Sequence, residues 1–292
     1  MSATLLMGKP IADKINEQIK KDLFEIKEKY DIVPSLVSVL VGSDLASKSY
    51  SGRQKKSADA IGIKYELHEL PEDTNEEDLL KFISQLNDDP QVNGIIIQLP
   101  LPKGIDEHKI QSAIAMKKDV EGITPANMGL IVYERPKLCP CTALSAVKLI
   151  ESVGADIFGK NLTVVGRSAI VGKPVALLML QRKFSSTVTV CHTGTAKAGT
   201  LPYHVSNADV LVVAAGSPEL VKGDWIKEGA IVVDVGFNVI NGKTVGDVEF
   251  EVAKEKASYI TPVPGGVGPL TVSILLQNTV EATKWQLEDK II

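Results

Sequence analysis

Four short, almost wholly apolar runs recur at helix-length separations: Leu162-Thr163-Val164-Val165, Val188-Thr189-Val190-Cys191, Val210-Leu211-Val212-Val213-Ala214 and Ile231-Val232-Val233-Asp234-Val235. A strand apolar on both faces has to be covered on both, which calls for a parallel sheet flanked by helices. Strand, helix-length segment and strand in succession predict βαβ units and a doubly wound, Rossmann-like sheet. An earlier series has the same form. The run over 36–41 stops at Gly42, a helical stretch over 46–60 closes at Gly62, and strands over 65–70 and 94–99 flank a helix over 76–86. A helix over 142–153 leads into the second series, and a last helix over about 270–288 follows a Pro- and Gly-rich loop.

The expected fold class is therefore α/β in two domains, an N-terminal α/β domain and a doubly wound one. The first takes residues 1–140 and, through the returning last helix, 270–292; the second takes 141–269. A chain of 292 residues suits two domains of about 100–200 residues each. Lys and Arg total 32 against 36 for Asp and Glu, so no basic balance calls for nucleic acid or an anionic membrane. The apolar Leu5-Leu6-Met7 run is broken by Gly8, Lys9 and Pro10, short of a secretory signal, and no apolar stretch approaches the roughly 20 residues of a membrane span. Cys139, Cys141 and Cys191 do not make a disulfide framework, and Cys139-Pro140-Cys141 lacks a second ligand pair for a metal. A cytoplasmic protein with buried or loop thiols and no metal is expected.

The segment Gly166-Arg167-Ser168-Ala169-Ile170-Val171-Gly172 sits where a strand gives way to a helix. Glycines there let backbone N–H groups approach a phosphate, and a helix N-terminus favours negative charge. The alternative is a tight turn that needs Gly for steric reasons alone. The next strand ends at Cys191-His192-Thr193-Gly194, without the acidic side chain that selects NAD by gripping a ribose hydroxyl. Arg167 adds a fixed charge suited to phosphate, so NADP is expected, with NAD as the alternative. His192 reads either as a residue facing the cofactor or as a hydrogen-bonded residue ending a strand.

In the first series, Tyr50 and Gln54 share a helix face, with Lys55 and Lys56 rotated away by about 100° and 200°. Gln98 ends an apolar strand, the position where open α/β sheets place ligand-binding groups. Lys118-Asp119-Val120-Glu121-Gly122 sets two carboxylates around a valine, either of which could bind a cationic or amidine-like group. The stretch Thr261-Pro262-Val263-Pro264-Gly265-Gly266-Val267-Gly268-Pro269 is poor in side chains and can lie against a flat ligand, or serve simply as a linker.

These motifs together resemble the methylenetetrahydrofolate dehydrogenase/methenyltetrahydrofolate cyclohydrolase family. The carriers are Gln98-Leu99-Pro100-Leu101-Pro102, Lys118 to Gly122, Pro140-Cys141-Thr142, Val165-Gly166-Arg167-Ser168 with Val171-Gly172-Lys173-Pro174, and the 261–269 loop, in the family's order over nearly the whole chain. The resemblance implies a homodimer that uses a nicotinamide cofactor on a tetrahydrofolate substrate. It implies that Tyr50, Gln98, Leu99, Pro100, Glu121, Pro264, Gly265 and Gly266 meet the folate. It assigns Gly166, Arg167, Ser168, Val171, Gly172, His192, Thr193 and Gly268 to the cofactor.

Three departures from the family pattern are concentrated in the implied folate site, one of them Ala143 after Pro140-Cys141-Thr142, where the pattern has Pro. The family's catalytic Lys, four residues after the Tyr, is Gln54 here; Lys56 matches a separate lysine of the pattern. The family's pterin-binding Asp is Glu121, one methylene longer. Hydride transfer is a positioning task without an obligatory proton donor, whereas hydrolysis of the methenyl product needs an acid/base group worth roughly 10²–10⁴-fold. A carboxamide cannot exchange a proton near neutral pH. The expectation is a dehydrogenase with Tyr50, Gln54 and Gln98 at its centre and a weak or absent cyclohydrolase step. The alternatives are a fully bifunctional enzyme, a folate- or nucleotide-binding regulator without chemistry, and another NADP oxidoreductase such as a shikimate dehydrogenase-like protein.

Overall fold

The computed structural model describes residues 2–288. The ends of the expected first domain, Met1 and 289–292, lie outside the described residues. The chain divides into two compact units, one holding the chain up to Asp13 with Pro140–Thr271, the other Lys14–Cys139 and the chain from Val272.

The described chain opens with β1 (Thr4–Leu5) and a helix over Gly8–Tyr30. That helix is absent from the elements expected above, although its buried Ala12, Ile15, Ile19, Leu23 and Ile26 follow helical spacing. β1 pairs in parallel with a strand 255 residues later, Thr4 opposite Tyr259. This pairing corrects the placement of the first residues, which were expected with the first series.

In the unit from Lys14, β2 (Ser35–Val41), β3 (Lys64–Leu70) and β4 (Gly94–Ile97) form a parallel sheet in the order β3-β2-β4. All seven residues of β2 are buried, as its run of apolar residues requires. The Leu45–Ile61 helix between β2 and β3 starts where the Asp44 side chain accepts the Ser47 N–H and ends at Gly62 in the left-handed conformation. The Glu76–Asp88 helix is capped by Asn75, carries three acids in its first turn, and buries Leu79, Ile83 and Leu86 against Val37, Val39, Ile95 and Ile97. The chain leaves β2 to form β3 on one side and β4 on the other. The carboxyl ends of β2 and β4 are therefore a switch point, where open α/β sheets form their ligand crevice.

The other unit contains β5 (Asn161–Val165), β6 (Thr187–Cys191), β7 (Val210–Val213), β8 (Ile231–Asp234), an antiparallel hairpin of β9 (Asn238–Ile240) and β10 (Lys243–Val245), and β11 (Tyr259–Ile260). Its six-stranded sheet runs β1-β11-β8-β7-β5-β6, parallel throughout. β5 lies between β6 and β7, so Gly166, the residue after β5, stands at this sheet's switch point. The last helix, Val267–Glu288, begins three residues before its expected start. Its Asn278 Nδ2 donates to the carbonyls of Val120 at 2.7 Å and Cys139 at 2.9 Å. All three cysteines are buried and none is in a disulfide. Among the described residues no helix is long and apolar enough to cross a membrane, and no His/Cys/Asp/Glu group could hold a metal ion.

Candidate functional site

At the β5 switch point a cavity of about 340 Å³ is lined by Gly166, Arg167, Ser168, His192 and Thr193, all expected to meet a cofactor, together with Ala214, Ala215, Ser217 and apolar neighbours. Gly166 has φ 128°, and a Cβ there would lie 2.2 Å from the Ala214 carbonyl oxygen, so only glycine lets the two chains touch. Ser168 Oγ accepts the N–H groups of Val171 at 3.2 Å and Gly172 at 3.3 Å and so closes the turn into the Gly172–Leu180 helix. Val171 and Gly172 shape this turn and are not among the cavity-lining residues; nor is Gly268, in the first turn of the last helix. Arg167 is exposed and forms no ion pair among the described residues, which leaves its guanidinium available to an anion.

His192 caps the Thr193–Lys197 helix. Its Nδ1 accepts the Gly194 N–H at 3.0 Å, while its own N–H donates to Thr195 Oγ1 at 3.1 Å. With Nδ1 accepting, a neutral ring carries its proton on Nε2 and offers one donor to the cavity it lines. His192 thus caps a helix and lines the cavity at once. The lining from Ala214 to Ser217 is not among the expected site residues. Its signal is positional: a strand over 210–214 followed by Gly216-Ser217 puts a small-residue turn at the carboxyl end of a central strand.

In the other unit, Gln54 and Gln98 come together. Gln54 is fully buried, and its Oε1 accepts from Tyr65 Oη at 2.9 Å and Gln98 Nε2 at 3.0 Å. Gln98 Nε2 also donates to Ser38 Oγ at 2.9 Å, and its backbone N–H to Val39 O at 2.8 Å, which ties it to the end of β2. Gln54 Nε2 is buried without a hydrogen-bond partner. Burial pushes the Tyr65 phenol up against the pull of the Ser38 and Ser51 hydroxyls, so it stays a neutral donor. Tyr65 is the member of this cluster that the spacing did not single out; its one sign was an aromatic between two charged residues, Lys64-Tyr65-Glu66.

Tyr50, one turn before Gln54, is half-buried with the Arg53 guanidinium 5.7 Å from its ring centroid. Lys55 and Lys56 are exposed, Lys55 beside Asp59 at 3.5 Å. Neither lysine enters the cluster around Gln54. Leu99 and Pro100, joined by a cis peptide, are exposed, and the Leu99 carbonyl accepts from Ser47 Oγ at 2.8 Å.

The two acids of the 118–122 segment separate in role. Asp119 is fully buried and its Oδ2 accepts the Thr124 N–H and Asn127 Nδ2, both at 2.8 Å. Its Oδ2 holds the turn into the Pro125–Val132 helix, while its Oδ1 is buried without a hydrogen-bond partner. Glu121, the other acid of the pair, is partly exposed. Burial, with the nearby Asp119 charge, raises the Glu121 carboxyl to about 8. Lys118 Nζ donates to the Leu86 and Asp89 carbonyls at 2.9 and 2.6 Å, closing the end of the Glu76–Asp88 helix, and burial lowers its pKa.

Pro264, Gly265 and Gly266 belong to the unit of the six-stranded sheet. Their loop is pinned to the start of the chain: the Gly8 N–H donates to Gly265 O at 2.9 Å, and a Cβ on Gly8 would lie 2.0 Å from Gly266 O.

Comparison with known proteins matches residues 6–121 to the family model for the tetrahydrofolate dehydrogenase/cyclohydrolase catalytic domain. Residues 140–287 match the NAD(P)-binding domain of the same enzymes. A bifunctional protein FolD from Moorella thermoacetica is 48% identical over 97% of this chain and 100% of its own length. The crystal structure of a bifunctional FolD methylenetetrahydrofolate dehydrogenase/cyclohydrolase from Campylobacter jejuni is 42% identical, with a TM-score of 0.92 over 98% of this chain and 100% of that one. The Trypanosoma brucei enzyme, crystallised with NADP and an inhibitor, is 37% identical, with a TM-score of 0.91 over 98% and 99% of the two chains.

Proposed function

The chain belongs to the tetrahydrofolate dehydrogenase/cyclohydrolase family, and from that premise we propose that it oxidises 5,10-methylenetetrahydrofolate to 5,10-methenyltetrahydrofolate with NADP. The observation that carries the reading is the cavity at the β5 switch point, where Gly166, Arg167 and Ser168 make a phosphate-sized approach at the carboxyl end of the sheet. NADP, when bound, accepts the hydride from the folate methylene carbon. The chain's own part is to hold and orient. Arg167 meets phosphate, His192 and Thr193 face the cavity, and no acid after β6 repels a 2′-phosphate. The NADP bound by the Trypanosoma brucei relative supports the same choice over NAD.

On the folate side, Tyr50 offers the flat face for a pterin, while Gln98 orders Gln54. Leu99 and Pro100 give apolar contact. Glu121 accepts from the amidine-like edge of the pterin ring once ionised. We also place the protein in the cytoplasm as a homodimer. The folate contacts, the cofactor contacts at Val171, Gly172 and Gly268, and the division of labour between the two domains are part of this proposal.

The relatives are named bifunctional, and that supports hydrolysis of the methenyl product to 10-formyltetrahydrofolate by this chain as well, over a chain limited to oxidation. One observation favours the limited reading. Position 54, the place of the family's lysine, holds a carboxamide whose oxygen is occupied by two donors and which has no acid or base group that titrates near neutral pH.

A paired assay decides. Reduction of NADP and NAD is followed with methylenetetrahydrofolate, and loss of methenyltetrahydrofolate is followed against the buffer rate. Oxidation with hydrolysis at the buffer rate is the outcome expected from Gln54. Hydrolysis well above it establishes the bifunctional reading. Binding of both ligands without reduction of either cofactor would identify a regulator and overturn the proposal.

A further inference from the structure

Two buried carboxylates stand behind the cofactor cavity, and neither has a place in the reading above. Asp247 is fully buried after the β9–β10 hairpin. Its Oδ2 accepts the N–H groups of Ala215 at 2.6 Å and Gly216 at 2.8 Å, and its Oδ1 accepts the Ser217 N–H and Asn238 Nδ2, both at 2.9 Å. Three successive backbone N–H groups of one loop thus converge on a single carboxylate. Ala215 and Ser217 line the cavity from the loop that follows β7, the strand next to β5.

Asp234, at the end of β8, repeats the arrangement one step back. Its carboxylate accepts the N–H groups of Asp247 at 3.0 Å, Val248 at 2.9 Å and Gly236 at 2.9 Å. Glycine at 246 makes room for it, since a Cβ there would lie 1.9 Å from Asp234 Oδ2. Each carboxylate is held by N–H donors alone, and N–H bonds to a charged acceptor are roughly twice as strong as neutral ones. The last ladder bond before this loop is Ala214 N–H to Val165 O at 2.7 Å. Beyond it the sheet no longer dictates the course of the chain, and Asp247 does.

We infer that Asp247 is a positioning residue for the dinucleotide: it fixes residues 215–217 as a rigid wall of the cavity, and Asp234 fixes Asp247 in turn. The inference rests on the assignment of this cavity to the nicotinamide nucleotide. A wall set in advance costs less ordering on binding, so its loss is paid in cofactor affinity and leaves the saturated rate alone.

The test is Asp247→Asn in the full-length protein. The carboxamide keeps the shape but turns an N–H donor toward N–H groups, so one side of the three-bond cluster loses its acceptor. NADP affinity by titration, KM for NADP, KM for methylenetetrahydrofolate, kcat and amide hydrogen exchange at 215–217 are measured on both proteins. The expected result is a rise of about tenfold in Kd and KM for NADP, equivalent to about 1.4 kcal/mol, with kcat at saturating NADP and the folate KM within about twofold. Exchange at 215–217 is expected to quicken. A folded Asp247→Asn protein with unchanged NADP affinity overturns the inference, as does a parallel fall in every parameter. If Asp247→Asn does not fold, Asn238→Ala removes one donor and leaves the carboxylate in place. Unchanged exchange at 215–217 and unchanged NADP affinity in that variant then overturn it. A wild-type chain that fails to bind NADP would instead overturn the cavity assignment, a failure visible before any substitution is made.

Discussion

Tyr65 Oη donates to Gln54 Oε1 at 2.9 Å, and Gln98 Nε2 reaches the same oxygen at 3.0 Å. Two donors on one side of the carboxamide fix its orientation and leave the buried Nε2 without a protein acceptor. An unmet buried donor costs about 1–3 kcal/mol, a cost that a ligand acceptor at that point would relieve. Position 54 is thus built as a fixed hydrogen-bond donor, not as a proton carrier.

Gln54→Lys is expected to raise methenyltetrahydrofolate hydrolysis by roughly 10²–10⁴-fold over the wild type while lowering stability by about 1–3 kcal/mol, because Tyr65 and Gln98 lose their shared acceptor. Stopped assays and urea midpoints read the two effects. Unchanged hydrolysis in a folded variant would show that residue 54 does not limit this step.

Glu121 gives a pH dependence with a definite sign. Burial first, then the Asp119 charge, raises its carboxyl to about 8, so at pH 7 the protonated form dominates. An amidine-like edge donates hydrogen bonds and requires the carboxylate, so folate affinity should climb as Glu121 ionises. About a tenth of the groups are ionised at pH 7 and nine tenths at pH 9, which predicts a fall of about tenfold in folate KM across that range. Glu121→Gln should give a flat profile; a wild-type profile equally flat would remove Glu121 from the folate site.

Arg167 separates the two nicotinamide cofactors. Its exposed guanidinium lines the cavity and forms no ion pair among the described residues. A charge-assisted bond to phosphate is worth about 1.5–3 kcal/mol, so Arg167→Ala should raise the KM for NADP by about 10- to 100-fold. The KM for NAD should move far less if the partner is the 2′-phosphate. Equal losses with both cofactors would place the guanidinium on the pyrophosphate.

The two sheets were legible because strands buried on both faces are apolar at nearly every position, and β2, β4, β7 and β8 are buried throughout with only Ser35, Ser38 and Asp234 polar. Gly166 and Gln98 were legible because the carboxyl end of a central strand is where such sheets bind ligands. Pairings across long sequence separations were not. The place of β1 depends on Thr4 meeting Tyr259, a register that neither two-residue strand announces. Asp119 and Glu121 look equivalent on either side of Val120; only the fold shows that Thr124 and Asn127 bond to the first. Asp247 likewise has no local pattern, since its partners at 215–217 lie about 30 residues upstream on another strand's exit.

Asp234 should leave a mark on stability. It is 3% exposed, and burial raises its carboxyl to about 6 against an ordinary 3.8, with three backbone N–H bonds pulling the other way and Asp247 adding to the rise. For an acid whose folded pKa is raised, the unfolded chain gives up its proton first as pH increases. Between pH about 4 and about 6 the folded state therefore holds more protons, and this group's contribution to stability falls as pH rises. About two pKa units correspond to on the order of 3 kcal/mol. Other carboxylates, such as Asp209 beside Lys227, have lowered pKa values and act in the opposite direction, so the total curve is not diagnostic. The difference between wild type and Asp234→Asn is. Urea unfolding at pH 4, 5, 6 and 7 should show the wild type losing stability relative to the variant through this window, with the loss levelling off by pH 7. A constant offset at all four values would mean that Asp234 does not titrate there, and that its N–H bonds outweigh its burial.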